Sequence, residues 1–179
     1  MPAPTWFSEL ERIDAELYAA VADTDVPALD GAMHRLSEAA NYSRLWLGIA
    51  GLIALAGGQA GRRAAIDGAV SIGVTSAVVN LLLKPLGRRR RPERGPLLAR
   101  HVRMPRSRSF PSGHAASAFA FAGGVAATQP QLGLPLRGLA ALVAYSRVHT
   151  GVHFPGDVMV GALVGTAVAA LARPSESAA

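Results

Sequence analysis

The sequence predicts an all-α fold, a multi-pass transmembrane helical bundle, and three observations carry that prediction. Half of the 179 residues are apolar and only 17% are charged, below the roughly 25% of soluble domains. Mean hydropathy is positive at +0.27. The apolar residues gather into runs rich in Ala and Gly, small residues that let helices approach closely in lipid, where packing rather than exclusion of water holds a bundle together. A soluble Ala-rich helical protein is the competing class, but several runs leave it no wet face.

Residues 1–42 read as an N-terminal amphipathic helical region. Trp6, Leu10, Ile13, Leu17 and Val21 recur at helical spacing with Glu9, Glu11, Asp14 and Glu16 between them, the pattern of one or two helices lying along a membrane surface or against a bundle. Pro27 and Asp30-Gly31 are expected to interrupt it, and its expected role is packing, not catalysis. Its acidic, amphipathic start is unlike a cleavable signal peptide.

Residues 43–173 are the expected transmembrane catalytic domain. A first apolar segment covers 43–60 and is short for a bilayer, which needs roughly 20 residues; extension back to Ala39 lengthens it. Gly61-Arg62-Arg63 reads as a charged turn. A second segment spans 64–83, with Asp67 and Asn80 its strongly polar members, and a basic loop follows over 84–111. Further segments span about 113–128, 134–149 and 156–172, with Gln129-Pro130-Gln131 between the first two of these. Residues 174–179 are a polar tail. Five crossings bring the end of the second, the start of the third, the end of the fourth and the start of the fifth to one membrane face.

Function is written at those ends. The net charge is +6, and residues 84–108 hold Lys84, Arg88, Arg89, Arg90, Arg91, Arg94, Arg100, Arg103, Arg106 and Arg108 against Glu93 alone. Such a cluster suits nucleic acid, anionic lipid or a phosphate substrate; its place beside membrane segments favours the lipid and phosphate readings. No nucleic-acid partner is expected, membrane lipids and a lipid phosphate are, and oligomeric state is not legible. Without cysteine, neither a disulfide nor thiolate catalysis is available.

Phosphoryl transfer needs charge neutralised on the non-bridging oxygens, an in-line nucleophile and an acid for the leaving oxygen. Lys84 and Arg91 supply charge, although a basic run flanking a membrane segment is common. Arg147 lies inside an apolar stretch, where an arginine is expensive without an anionic partner, and its planar fork clamps two oxygens. Ser112-Gly113-His114 opens a helix whose N-terminus favours an anion; Gly113 permits close approach, Ser112 caps or donates, and His114 becomes an acid candidate. His153 and Asp157 lie four apart across Pro155-Gly156, so the carboxylate can fix one imidazole nitrogen and free the other to attack phosphorus. His149, His153 and Asp157 also spell H-x3-H-x3-D, a metal face on a continuous helix, but Pro155-Gly156 interrupts it and the neighbouring cations oppose it. His149 is expected to pack or hydrogen-bond at the pocket rim. No metal and no cofactor are expected.

Together these stretches read K-x6-R-P (Lys84 to Arg91-Pro92), P-S-G-H (Pro111 to His114) and S-R-x5-H-x3-D (Ser146-Arg147 to His153 to Asp157). The combination resembles the type 2 phosphatidic acid phosphatase (PAP2) superfamily over roughly residues 64–172. The resemblance implies metal-independent hydrolysis through a phosphohistidine, with His153 as nucleophile, Asp157 as its orienter and His114 as general acid. Lys84, Arg91, Ser112, Gly113 and Arg147 would hold the phosphate. The bundle is shorter by a helix than the family's usual core, with the N-terminal region in its place. The short chain is similar to small bacterial members acting on polyprenyl phosphates, decaprenylphosphoryl phosphoribose phosphatases among them. Phosphatidic acid and phosphatidylglycerophosphate stay open as substrates. A plasma-membrane location in cell-envelope lipid metabolism follows; the positive-inside rule puts the basic loop in the cytoplasm, whereas the resemblance implies an outward-facing site. The alternative class is a non-enzymatic membrane protein whose Arg-rich loop binds anionic lipid or nucleic acid. That alternative leaves His114, His153 and Asp157 without a task.

Overall fold

Glycine or proline marks several of the helix limits, one permitting a left-handed turn and the other lacking an N–H. The computed structural model describes residues 5–24, 26–87, 89–94 and 100–172; Arg88, Arg173, residues 95–99 of the basic loop and the tail expected at 174–179 lie outside these. Among the described residues the chain is helical, with no strand: α1 (Thr5–Ala22), α2 (Pro27–Ala39), α3 (Arg44–Ala56), α4 (Gly58–Ala77), α5 (Gly113–Thr128), α6 (Gly133–His149) and α7 (Pro155–Leu171). A π-helical stretch, Val78–Leu83, and a last turn, Lys84–Leu86, prolong α4. Lys84 therefore sits on a helix end, not in a loop. The wider π turns change the face on which it emerges, a device frequent at functional sites.

Two expected breaks fall elsewhere. Asp30-Gly31 lies inside α2, which Pro27 starts; proline at the first helical position forfeits an N–H that would be orphaned anyway. Gly61-Arg62-Arg63 lies inside α4, and the chain turns instead at Gly57-Gly58, where Gly58 has φ +56°, a region open to glycine at no steric cost. A side chain at Gly61 would run into the Ile53 carbonyl, so this glycine serves the close approach of α3 and α4.

α5 is the central helix. Ala115, Ala116, Ala118, Ala120, Phe121, Ala122 and Val125 are all fully buried, so α5 is covered on every side by α4, α6 and α7. Small residues make that possible. A Cβ on Gly68 of α4 would stand 2.7 Å from the Phe121 ring, and one on Gly123 the same distance from Ala169 of α7. Gly161 and Gly165, one turn apart on α7, face the carbonyls of Ser112 and Ala116 so closely that any side chain would strike them. The larger core cluster joins α3, α4, α5 and α6 around Trp46 and Phe121, whose ring centroids are 5.4 Å apart.

The outer surface is apolar. Leu52, Leu55, Ile66, Leu81, Leu82, Leu86, Met159, Leu163 and Leu171 are all exposed, Leu55 at 86%. That distribution suits a lipid solvent. Among the described residues one continuous helix, Gly58–Leu86 with 29 residues, is long and apolar enough to cross a membrane, and Pro155–Leu171 is a shorter apolar helix.

Candidate active site

Close packing of α5 on α7 sets the two helix N-termini side by side. The Ser112 N–H donates to the Asp157 carbonyl at 2.9 Å, so P-S-G-H and the His153–Asp157 segment form one structural unit. Ser112 is fully buried, and its hydroxyl accepts from the Ala115 N–H at 3.5 Å as the N-cap of α5. Its capping role is thus visible directly. A Cβ on Gly113 would point into space bordered by Lys84 Nζ at 3.8 Å and Val79 at 3.9 Å; the missing side chain leaves room beside that ammonium.

His153 and Asp157 are both buried. The Asp157 Oδ2 lies 3.4 Å from His153 Nδ1, accepts the Phe154 N–H at 3.0 Å and accepts the Ser109 hydroxyl at 2.5 Å. Ser109 Oγ is itself 3.4 Å from His153 Nδ1. The other ring nitrogen, Nε2, faces Arg91 Nη1 at 3.3 Å. One nitrogen is therefore held by a carboxylate and the other is turned toward fixed cations. Burial pushes the His153 pKa down to about 4; Asp157 opposes the shift through its hydrogen bond, while the nearby Arg91 charge deepens it. The imidazole is thus neutral, with a free lone pair, at neutral pH.

Arg91 is fixed by its own contacts: Nη1 donates to the Val152 carbonyl at 2.6 Å and Nε to the Ser107 carbonyl at 3.0 Å. The Ser107 hydroxyl bridges Lys84 Nζ at 3.1 Å and Arg91 Nη2 at 3.3 Å. Arg147 is fully buried; its Nη1 donates to the Ser37 hydroxyl at 2.5 Å and carbonyl at 3.2 Å. Its Nε is buried with no hydrogen-bond partner among the described residues, the orphaned donor an oxyanion would satisfy. His114 Nε2 meets Asn41 Oδ1 at 3.0 Å, and Arg147, His153, Lys84 and Arg91 all lie within electrostatic reach of it. Beside Lys84, Gly113 and His114 a cavity of about 190 Å³ runs toward Trp46 on α3 and Val79 on α4. The site residues expected from the sequence thus converge on one end of the bundle, where Lys84, Arg91 and Arg147 surround His114 and His153.

His149 stands apart. It is buried, and its Nε2 lies 2.8 Å from Asp30 Oδ1, which also pairs with Arg100 Nε at 2.7 Å. His149 and His153 engage different carboxylates, so H-x3-H-x3-D does not converge, and no group of three or more His, Asp or Glu among the described residues is arranged around a metal position.

The PAP2 superfamily pattern matches residues 64–177. The chain belongs to the PAP2 superfamily. It is 35% identical over 148 residues to the decaprenylphosphoryl-5-phosphoribose phosphatase of Mycobacterium tuberculosis, covering 82% of this chain and 80% of that one. Among solved structures it is similar to a transmembrane PAP2-type phosphatidylglycerolphosphate phosphatase from Bacillus subtilis, with TM-score 0.71, 25% identity and coverage of 92% of this chain and 84% of that one. Aquifex aeolicus LpxE is similar at TM-score 0.67 and 26% identity, covering 88% of this chain and 92% of that one. The chain is thus a phosphatase-family protein with the fold of membrane lipid phosphatases.

Against the PAP2 motifs, the structure adds residues that spacing alone misses. Ser107 and Ser109 alternate with Arg106 and Arg108 in the basic loop, and only their contacts single them out. Asp14, Ser37 and Asn41 come from the N-terminal region, which was expected merely to pack. Instead its carboxylate, hydroxyl and amide reach the site's cations and histidines. Tyr42 and Ser43, just after Asn41, have φ of 55° and 59°, a left-handed conformation that costs of order 1–3 kcal/mol per non-glycine residue and clusters at functional sites.

Proposed function

We propose that this protein is an integral, multi-pass plasma-membrane phosphatase that hydrolyses a phosphate monoester or diphosphate of an isoprenoid or glycerolipid, in cell-envelope lipid metabolism, through a phosphohistidine. The carrying observation is the His153 ring, with Nδ1 against Asp157 and Ser109 and Nε2 turned to Arg91. Lys84, Arg91, Arg147 and the α5 N-terminus neutralise the phosphate oxygens. His153 Nε2 attacks phosphorus, the P–N bond forms, and the bond to the lipid oxygen breaks as His114 delivers a proton to it. Water then attacks the phosphohistidine, His114 takes the water's proton, and phosphate leaves with His153 restored. Charge neutralisation by three fixed cations makes a divalent ion unnecessary. The cavity toward Trp46 and Val79 takes the first groups of the lipid. An isoprenoid phosphate is the first substrate to assay, since the mycobacterial relative is named for a decaprenylphosphoryl substrate.

The test is phosphate release by the purified protein from a panel of isoprenoid and glycerolipid phosphates, with and without EDTA. Expected are turnover on at least one lipid, a rate within about twofold of control in EDTA, far under the tenfold that roughly 1.4 kcal/mol of barrier represents, and loss of nearly all turnover in His153→Ala. Near-normal turnover by His153→Ala refutes the nucleophile, and loss in EDTA reversed by a metal ion refutes the metal-free scheme.

A further inference from the structure

The surface helix α1 lies outside the region that the superfamily pattern matches, yet it delivers a buried carboxylate to the back of the candidate catalytic pair. Asp14 is 9% exposed. Its Oδ1 accepts the Gly156 N–H at 2.7 Å, at the first turn of α7, and its Oδ2 pairs with Arg89 Nη1. The same Arg89 Nη1 donates to Asp157 Oδ1 at 3.2 Å. Asp157 thus has one oxygen turned to His153 and Ser109 and the other turned to a cation that α1 holds.

The surroundings are built to the same end. The Arg89 guanidinium lies over the Phe154 ring at 4.0 Å from its centroid. Tyr18, one turn after Asp14 on the inner face of α1, packs edge-on against that ring at 5.6 Å and donates its hydroxyl to the Glu93 carbonyl at 3.1 Å. Asp14 and Tyr18 therefore hold the segment that carries His153 and Asp157 at two points, Gly156 and Phe154. The outer face of α1, with Trp6, Leu10 and Leu17, is exposed, so the buried Asp14 is no by-product of a helix sunk in the core.

We propose that Asp14 is a positioning residue of the reaction: acting through Arg89, it holds the Asp157 carboxylate in the rotation that presents His153, which makes α1 part of the active site. This rests on the assignment of His153 and Asp157 as the reacting pair. A buried carboxylate is stable as an ion only when paired and hydrogen-bonded. Arg89, with about a fifth of its side chain exposed, would be drawn to the phosphate or to solvent without a second carboxylate to anchor it. Asp14 supplies that anchor and leaves Arg91, on the opposite side of the ring, for the substrate.

The experiment uses the full chain in detergent micelles with a synthetic isoprenoid monophosphate. Asp14→Asn keeps the shape and the acceptor for Gly156 while removing the charge. Its kcat should fall about tenfold, equivalent to roughly 1.4 kcal/mol of transition-state stabilisation, with KM unchanged within about twofold, because the pair acts on the nucleophile and not on the phosphate. Arg89→Gln should fall at least as far, and adding Asp14→Asn to it should cost nothing more. Glu16→Gln, on the exposed face, should match the wild type. A second readout is independent of folded fraction: millimolar guanidinium added to Arg89→Ala should restore part of the rate, and should fail to do so when Asp14→Asn is also present. Multiplicative losses in the double variant, a change confined to KM, or guanidinium rescue indifferent to Asp14 overturns the proposal. If His153→Ala is inactive while Asp14→Asn turns over normally, this inference alone falls; if His153→Ala stays active, the underlying assignment falls and takes this with it.

Discussion

Removing one hydroxyl, in Ser109→Ala, tests the geometry behind His153 most directly. Ser109 is fully buried, and its hydroxyl is 2.5 Å from Asp157 Oδ2. A hydrogen bond to a charged group contributes about 1.5–3 kcal/mol. With a tenfold rate change per 1.36 kcal/mol, full expression in the transition state means a loss of about 10- to 150-fold. Asp157 keeps the Phe154 N–H at 3.0 Å and Arg89 at 3.2 Å, so the carboxylate is loosened but not released, and the expected loss lies at the low end, about 10- to 30-fold. It should fall on kcat, since Ser109 contacts the proposed nucleophile His153 and its partner Asp157, while KM stays within about twofold. The assay is steady-state phosphate release at saturating lipid phosphate, with the thermal unfolding midpoint measured on the same preparation. A kcat loss under about threefold, or a loss confined to KM, refutes the view that Ser109 orients the Asp157–His153 pair.

The pH profile follows from the buried imidazole. With His153 at about 4, its lone pair is free above that pH and lost as pH falls through it. The acid limb of kcat/KM should therefore sit near 4, after allowance for the substrate's own ionisation near pH 6; a limb at or above the ordinary 6.5 of histidine contradicts this. His114→Ala should damage cleavage of a lipid phosphate about 10²–10⁴-fold, the usual contribution of a positioned acid, and p-nitrophenyl phosphate cleavage far less, because that leaving group needs no proton; equal losses on both substrates argue for a binding role. Asn41→Ala removes one hydrogen bond to His114, so a milder fall of about 2- to 13-fold on the lipid substrate is expected, from about 0.5–1.5 kcal/mol, and no change there detaches Asn41 from the site. Gly165→Ala places a methyl against the Ala116 carbonyl; overpacking of this kind costs about 1–3 kcal/mol and should lower the thermal midpoint, and an unchanged midpoint shows that α5 and α7 can separate freely.

Two kinds of glycine share the labour in this bundle. Gly161 and Gly165 bring α7 onto α5 until backbone touches backbone, which is what lets the Ser112 N–H reach the Asp157 carbonyl. Gly113 has no such neighbour at contact distance and leaves room beside Lys84. The first kind positions the candidate machinery and the second makes space for what it acts on.

Periodicity and composition determined the helices over 113–128, 134–149 and 156–172 to within a residue or so, and the core of the one over 64–83, which in fact starts six residues earlier at Gly58, because a helix in a membrane bundle satisfies its backbone internally and so shows as an unbroken apolar run. The motifs named Lys84, Arg91, Ser112, Gly113, His114, Arg147, His153 and Asp157 as candidate site residues, since those residue types at or beside helix ends carry chemistry that an apolar segment has no other use for. Helix limits set by glycine conformation were less legible: the turn at Gly57-Gly58 depends on φ, not on the charge of Arg62-Arg63. The contributions of Asp14, Ser37 and Asn41 were not legible at all. Each is separated from its partner by about 70 residues or more, and local spacing holds no record of such a pairing. Only the tertiary packing of α1, α2 and the turn after α2 against the ends of α4, α5, α6 and α7 decided which of many surface acids, hydroxyls and amides would meet a buried cation or imidazole.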